Sequence, residues 1–395
     1  MTIKTSQSFL TFSEIESEFG KNPSRSLGDY RRSISKGGVS WPLDDGIPTG
    51  PNDTISFSDF LGKQHNIIIV LSGGGTSYRQ KILNDKTSIT STGFRGTGKS
   101  VRKTSKNIVY ITRKIGSEKA GGAGGRPKCA LRTQNNNDWF GGNPSGAKVY
   151  IRLGSGGKLY GAGGDGGKGA KWSQTGSGGE DGTSALGLEI NVESVTVDSG
   201  GIIQGGGGGG GGGGSAAEYS RHRRKTGGGG GGGGAGLPAG TGGEGGKTTK
   251  KYRNFLGQKV NLPGSVRDGD DGSNGSLNNG GNGGRGGNSD GEARGGGAGG
   301  GGATNGSQGE GGEGKGSSFN GKATDGADGV SSGGEKGKGG DGGHGWKSEG
   351  GGGGAQSGGN AGFRGLAITR NSGLNNPTRI GESRIHGGIA DKGVK

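Results

Sequence analysis

Between residues 64 and 204 the apolar positions come in short β-branched runs, HNIIIVL, NIVYITRKIG, KVYIRLGSGGKLYG and GLEINVESVTVDSGGIIQG, each cut off by glycine. Runs of this length, rich in Ile and Val and bounded by turn residues, predict strands. One stretch recurs: SGGKLYG at 155–161 matches SGGIIQG at 199–205, with a looser copy at 383–387. In the first two copies a strand leads through a turn into a glycine tract, which predicts stacked β turns. Residues 362–395 return to β patterning. The glycine-rich region before them is therefore read as an insertion whose two ends meet at a β base, with the strands 188–197 and 366–370 close together.

Residues 1–63 follow a different pattern. Ser13 and Glu16 in FSEIESEFG have capping-box spacing, and Phe12, Ile15 and Phe19 fall on one helical face. Ser26 with Asp29 offers a second helix start. Beyond Pro42, Pro48 and Pro51, Phe57-Ser58-Asp59-Phe60 echoes Phe12-Ser13-Glu14-Ile15. A small helical module is predicted.

From 205 to 354 the hydrophobic pattern gives out, and glycine runs unbroken at 205–214 and 227–234. Glycine buries no apolar surface, and fixing its backbone costs about 1–2 kcal/mol per residue, so order here requires backbone groups that pair with one another. The extended helix with three residues per turn points its N–H and C=O groups outward, and adjacent copies can bond into a slab. Residues with side chains should then recur every third position, along one edge. Ala162, Asp165, Lys168 and Lys171 do so, as do Thr241, Glu244 and Lys247, then Asn282, Arg285 and Asn288, and Glu335, Lys338, Asp341 and His344. Ala120, Ala123 and Arg126 form a short early series. Ten glycines would span about 31 Å. A flexible linker is the bland alternative, and the absence of a strict one-in-three glycine with proline argues against collagen.

The predicted layout is a mainly β fold with a polyglycine II slab: a small helical module at 1–63, a β-rich domain at 64–204, the slab with its display loops at 205–361, and a β segment at 362–395 returning to the base.

FSEIESEFG and IPTGPNDTISFSDFLGK resemble the N-terminal modules of bacteriophage tail-associated structural proteins, including those of cyanophages. Over residues 145–395, the order of β base, glycine runs and intervening loops resembles the distal tail-fibre adhesins of T-even-type phages, in which a polyglycine II sandwich displays host-recognition loops. The resemblance implies a protein made in the host cytoplasm and carried on the virion tail. It implies joining to other tail proteins through residues 1–63, a homotrimer by analogy with fibres, and binding to a bacterial surface receptor: lipopolysaccharide, glycan or outer-membrane protein. No binding residue is carried over by the resemblance.

Charge sharpens this picture. The net charge of +16 favours anionic partners, and a hydrophobic content of 24% is too small for one large core. Cys129, the single cysteine, excludes an intrachain disulfide framework. The first residues lack a signal-peptide apolar run, and no long apolar stretch predicts insertion in a membrane. Loops joining slab helices should sit exposed at its ends. Two are rich in guanidinium, ammonium and ring groups suited to phosphate, carboxylate and sugar: Tyr219, Arg221, His222, Arg223, Arg224 and Lys225, then Lys250, Lys251, Tyr252, Arg253 and Phe255. Trp346 and Phe319 are further candidates. A solvated charged turn is the bland reading of each loop.

GFRGTGKS at 93–100 fits the P-loop pattern, with Lys99 and Ser100 in the phosphate and Mg²⁺ positions, but neither an apolar strand before it nor a helix after it is predicted. Arg285 and Arg294 each begin an RGG triplet, too few for an RNA-binding tail. Asp268, Asp270 and Asp271 offer carboxylates without EF-hand spacing. The four histidines, 65, 222, 344 and 386, sit in unrelated segments. The expectation is adhesion without enzymatic chemistry, cofactor or metal. The alternatives are a purely architectural virion protein and a Gly/Arg-rich nucleic-acid-binding protein, although nucleic acid is not an expected partner.

Overall fold

The computed structural model describes residues 3, 10–20, 26–31, 33–72, 106–117, 129–133, 148–171, 174–217, 225–248, 251–253, 256–261, 266–289, 307–312, 317–318, 321–322, 324–330, 338–343 and 356–392. Helix α1 (Phe12–Phe19) is capped by Thr11, whose hydroxyl accepts from the Glu14 N–H at 3.4 Å while the Glu14 carboxylate accepts from the Thr11 N–H at 2.9 Å. The capping box is thus Thr11/Glu14, two residues before the predicted Ser13/Glu16. Both pairs satisfy the spacing. The earlier start places Phe12 at the first helical position, edge-on to Phe57 at 5.1 Å, and turns Ile15 and Phe19 into a cluster with Tyr30, Leu43, Ile47 and Phe60.

The echo noted in the sequence has a structural counterpart. A 3-10 helix, Phe57–Phe60, follows Ser56, whose N–H donates to the Asp59 carboxylate at 2.7 Å, so Ser56 and Asp59 repeat Thr11 and Glu14. The start expected at Ser26 is also a 3-10 helix, Leu27–Arg31. An unexpected antiparallel hairpin joins β1 (Ser33–Lys36) to β2 (Val39–Pro42). Its turn uses Gly37 at φ 62°, where a side chain would be strained and would also strike the Tyr110 ring. Trp41 in β2 is 4% exposed, lies edge-on to Tyr110 at 5.0 Å and packs with Ile68 and Ile108.

The chain then forms β3 (Ile67–Leu71), β4 (Lys106–Ile111), β5 (Lys114–Gly116), β6 (Cys129–Arg132), β7 (Lys148–Leu153), β8 (Lys158–Tyr160), β9 (Ser184–Leu188), β10 (Ser194–Val197) and β11 (Ile202–Gln204). Four short antiparallel pairs follow among the glycines: β12 (Ala216–Ala217) with β13 (Lys225–Thr226), β14 (Lys251–Arg253) with β15 (Lys259–Asn261), β16 (Val266–Arg267) with β17 (Asn288–Ser289), and β18 (Ser317–Ser318) with β19 (Gly321–Lys322). The last strands are β20 (Ile368–Arg370), β21 (Thr378–Ile380), β22 (Ile385–His386) and β23 (Ile389–Ala390).

Three sheets carry the base, with orders β21-β10-β7-β4-β3, β22-β11-β8-β5 and β23-β20-β9-β6. All their pairings are parallel. Parallel neighbours need a long crossover, and from β4 onward two strands in the other two sheets supply it, so the chain winds as a three-sided coil. Inward residues stack in ladders. Val109, Ile151 and Val195 form one, Ile115, Leu159 and Ile203 a second, and Leu131, Leu186 and Ile368 a third, all with no exposed surface.

The sequence repeat is a repeat of this coil. Lys158 pairs with Ile202 and Tyr160 with Gln204, while Ile385 and His386 of the third copy pair with Ile203 and Gln204. The strand expected over 188–197 is divided, because the coil turns a corner there. At that corner the Glu189 N–H donates to Thr133 Oγ1 at 2.7 Å, and its carboxylate accepts from Arg132 Nε at 2.7 Å. Strand β20 pairs with β9, Ile368 against Leu186, so the chain on either side of the glycine region does meet at the base.

Glycine tracts leave the coil after β8 and after β11. Gly164, Gly167 and Ala170 donate to the carbonyls of Gly207, Gly210 and Gly213 at 2.8–2.9 Å. Gly206, Gly209 and Gly212 donate to Thr183, Glu180 and Ser177, and Gly207, Gly210 and Gly213 donate to Ala235, Gly232 and Gly229. Every series steps by three residues. The tracts at 161–183, within the stretch read as β-rich, belong to the same lattice. Side chains on neighbouring edges meet, as Lys168 does Glu244 at 3.2 Å and Lys247 does Asp268 at 3.3 Å. The fold is mainly β.

Candidate functional site

The direction of each tract decides which connections share an end. At the base, Gly161 donates to Gln204 at 2.8 Å, Gly205 to His386 at 3.1 Å and Ser117 to Leu237 at 3.0 Å, while Gln204 Nε2 reaches the Leu277 carbonyl at 3.4 Å. The connections at 236–239 and 277–279 therefore lie against the coil.

A second set of tract ends gathers at the opposite end. Gly214 donates to Gly343 at 2.9 Å, Ser215 Oγ to Gln174 at 3.1 Å, Gly227 to Thr248 Oγ1 at 3.1 Å, and Thr248 Oγ1 onward to Arg267 at 2.8 Å. Strand β13 lies beside β17 in this group. The residues that flank the candidate loops, Ser215 and Thr226, Thr248 and Arg267, and Gly343 and Gln356, are thus at the end remote from the coil.

Of the candidates, Lys225 lies in β13, and Lys251, Tyr252 and Arg253 form β14, paired with Asn261, Val260 and Lys259. Tyr219, Arg221, His222, Arg223, Arg224, Lys250, Phe255 and Trp346 lie outside the described residues, as do Phe319, Arg294 and the P-loop-like stretch 93–100. The two basic connections start and end side by side. Residues 215–226 hold Arg221, Arg223, Arg224 and Lys225 against Glu218, and residues 249–267 hold Lys250, Lys251, Arg253, Lys259 and Arg267 without any carboxylate. Half of the net +16 therefore belongs to these two stretches.

Sequence reading missed two apolar members of this end. Leu256 is 66% exposed at the tip joining β14 to β15, and Val260 in β15 is 36% exposed. A lone Leu between Phe255 and Gly257 gives no periodic signal; only its exposure in the fold marks it.

The acidic run in RDGDDGSNGS serves the lattice. Asp268 accepts the Thr248 N–H at 2.9 Å and Asp271 the Gly245 N–H at 2.7 Å. Among the described residues no group of His, Cys, Asp and Glu is arranged to hold a metal ion, and no helix is long and apolar enough to cross a membrane. His65 stacks on Phe19 in the N-terminal module and His386 sits in β22, at separate places in the fold. Burial pushes the Cys129 thiol up to about 12, which keeps it protonated inside the coil.

Searches of curated proteins and of solved structures found no significant match. Residues 132–294, from the end of β6 through both basic connections, match the family model described as phage tail fibre adhesin Gp38, and this similarity supports a phage tail-fibre adhesin.

Proposed function

We propose that the chain is a receptor-binding adhesin of a phage tail, fastened to other tail proteins through residues 1–63 and binding a bacterial surface receptor through the connections at the end of the slab remote from the coil. The observation that carries this reading is the convergence of both basic connections on that end. The glycine tracts act as polyglycine II helices, a reading supported by hydrogen bonds that step by three residues. The action is adhesion without bond-making chemistry. Dense positive charge speeds encounter with an anionic surface, such as lipopolysaccharide, an acidic glycan or an acidic patch of an outer-membrane protein. Guanidinium forks engage phosphate or carboxylate, and the Tyr219 ring stacks on a sugar face.

Adsorption measured over a range of salt concentrations tests the reading. Replacing Arg221, Arg223 and Arg224 together by Ser should weaken adsorption and flatten its salt dependence, while Tyr219→Ala should change which hosts are bound. Unchanged adsorption in both variants and after replacement of Lys250, Lys251 and Arg253 would leave a purely architectural role in the virion.

A further inference from the structure

One two-bond unit recurs between neighbouring tracts, built each time from Asp or Asn followed by Gly. Where the neighbour runs parallel, the glycine N–H donates to a carbonyl and the same neighbour residue donates back to the Asx side chain. Gly166 donates to Thr241 at 2.8 Å and the Thr241 N–H to Asp165 Oδ1 at 2.7 Å; Gly283 donates to Glu310 at 2.8 Å and the Glu310 N–H to Asn282 Oδ1 at 3.1 Å. Where the neighbour is antiparallel, the returning N–H comes from two residues further along. Gly272 donates to Gly243 at 2.9 Å and Gly245 to Asp271 Oδ1 at 2.7 Å; Gly342 donates to Gly359 at 2.9 Å and Ala361 to Asp341 Oδ1 at 2.7 Å. Asp181, Asp268, Asn274, Asn279 and Asp328, each followed by glycine, make the same two bonds.

Both positions are chemically restricted. A tract whose amides face a neighbour without a matching carbonyl leaves donors unmet, and Asp or Asn carries a carbonyl oxygen at a short reach that the longer Glu or Gln does not reproduce. The following residue must be glycine, because a Cβ on Gly166 or Gly272 would collide with the Gly231 carbonyl, and one on Gly342 with the Gly212 carbonyl. We propose that the Asx–Gly dipeptide is the pairing signal of the slab, selecting which tracts lie side by side and in what register, and so which connections share an end. The signal holds whether or not that end binds a receptor.

The clamp also governs the reactivity of its own dipeptide. Asn–Gly closes to a succinimide when the glycine nitrogen attacks the side-chain Cγ and ammonia leaves, and water then opens the ring to Asp or isoaspartate. In the clamp the glycine N–H is held by a carbonyl of the next tract and the side-chain oxygen by an incoming N–H, so the two groups are kept from meeting.

Residue-resolved amide exchange on the full chain tests the pairing role. Asp271→Leu should speed exchange at Gly245 about tenfold, the weight of one hydrogen bond, while Gly242, held by Asn274, stays as in the parent. Asp271→Asn should restore the parent rate at Gly245. Unchanged exchange in the Leu variant, or equal rates in the Leu and Asn variants, would overturn the proposal. Should the Leu variant not fold, ammonia loss at Asn274, Asn279 and Asn282 in the parent protein decides: loss as fast in the native protein as in denaturant overturns the clamp, and suppressed native loss supports it.

Discussion

Leu159 and Ile203 face each other as partners on adjacent parallel strands, both with no exposed surface. Each belongs to one copy of the sequence repeat, and each is followed one residue later by the end of its strand and the start of a glycine tract. The apolar contact therefore sets where two tracts begin. A hydrophobic ladder in the coil aligns a lattice that has almost no hydrophobic surface of its own.

Interior glycines of that lattice should tolerate no side chain. A Cβ on Gly209 would strike the Asp165 carbonyl oxygen, so Gly209→Val should abolish soluble folded protein. Asp165→Ser removes the acceptor of the Thr241 N–H and hydroxyl and should cost about 1 kcal/mol. Denaturant unfolding of both variants checks the contrast, and equal tolerance would contradict close packing.

Removing the N-terminal module should damage the coil. Trp41 covers Ile68, Ile108 and Tyr110, which are 2%, 8% and 4% exposed. A fragment starting at residue 64 would bare them and should aggregate, whereas Trp41→Ala in the full chain should lose about 3–5 kcal/mol. A fragment as stable as the parent would show that the module rests on the coil without supporting it.

Acid should weaken the last turn of the coil. Burial lowers the His386 pKa below the ordinary 6.5, so the folded state favours neutral imidazole and the unfolded chain binds more protons. The contribution is complete above pH 6.5 and is lost as pH falls through the folded value. The urea midpoint should drop between about pH 7.5 and pH 5, and His386→Gln should reduce that drop.

Cys129 should be inert to thiol reagents in the native protein. Its thiol is buried without exposed surface and its pKa stands at about 12. Modification at pH 8 should follow unfolding; fast labelling of the native chain would mean that the third sheet opens.

Leu256→Asp should weaken receptor binding and shift stability by no more than about 0.5 kcal/mol, because an exposed side chain at a hairpin tip contributes little to folding. Binding and thermal unfolding measured on the same variant separate the two effects.

Much of the lattice was legible in the sequence. Asp165 and Lys168, or Thr241, Glu244 and Lys247, recur every third residue because only one edge of those two tracts has room for a Cβ, and that restriction writes itself into the order of residues. The coil was half legible. Its strands stand out as β-branched runs, and the 155–161 and 199–205 copies align as the register pairs them, but β6 is only four residues long and carries no period. The corner at Glu189 was hidden, since EINVES alternates through it; the break depends on Arg132 and Thr133, which are remote in sequence. The helix start was misplaced because Thr11/Glu14 and Ser13/Glu16 share one spacing, and the choice between them lies in packing against Phe57. At the remote end, charge was plain in the sequence. The neighbourhood of the two basic connections was not, because it is created by tract direction.

Gly365 donates to Gly206 at 2.7 Å, so the long glycine excursion leaves and re-enters the coil at one corner. A chain that goes out must come back before β20 can join β9. The slab can therefore gain or lose tracts only in out-and-back pairs, and each pair adds one more loop at the remote end. Under the proposed adhesin reading this means that new contact surface arrives in whole units, leaving the coil and the N-terminal module untouched.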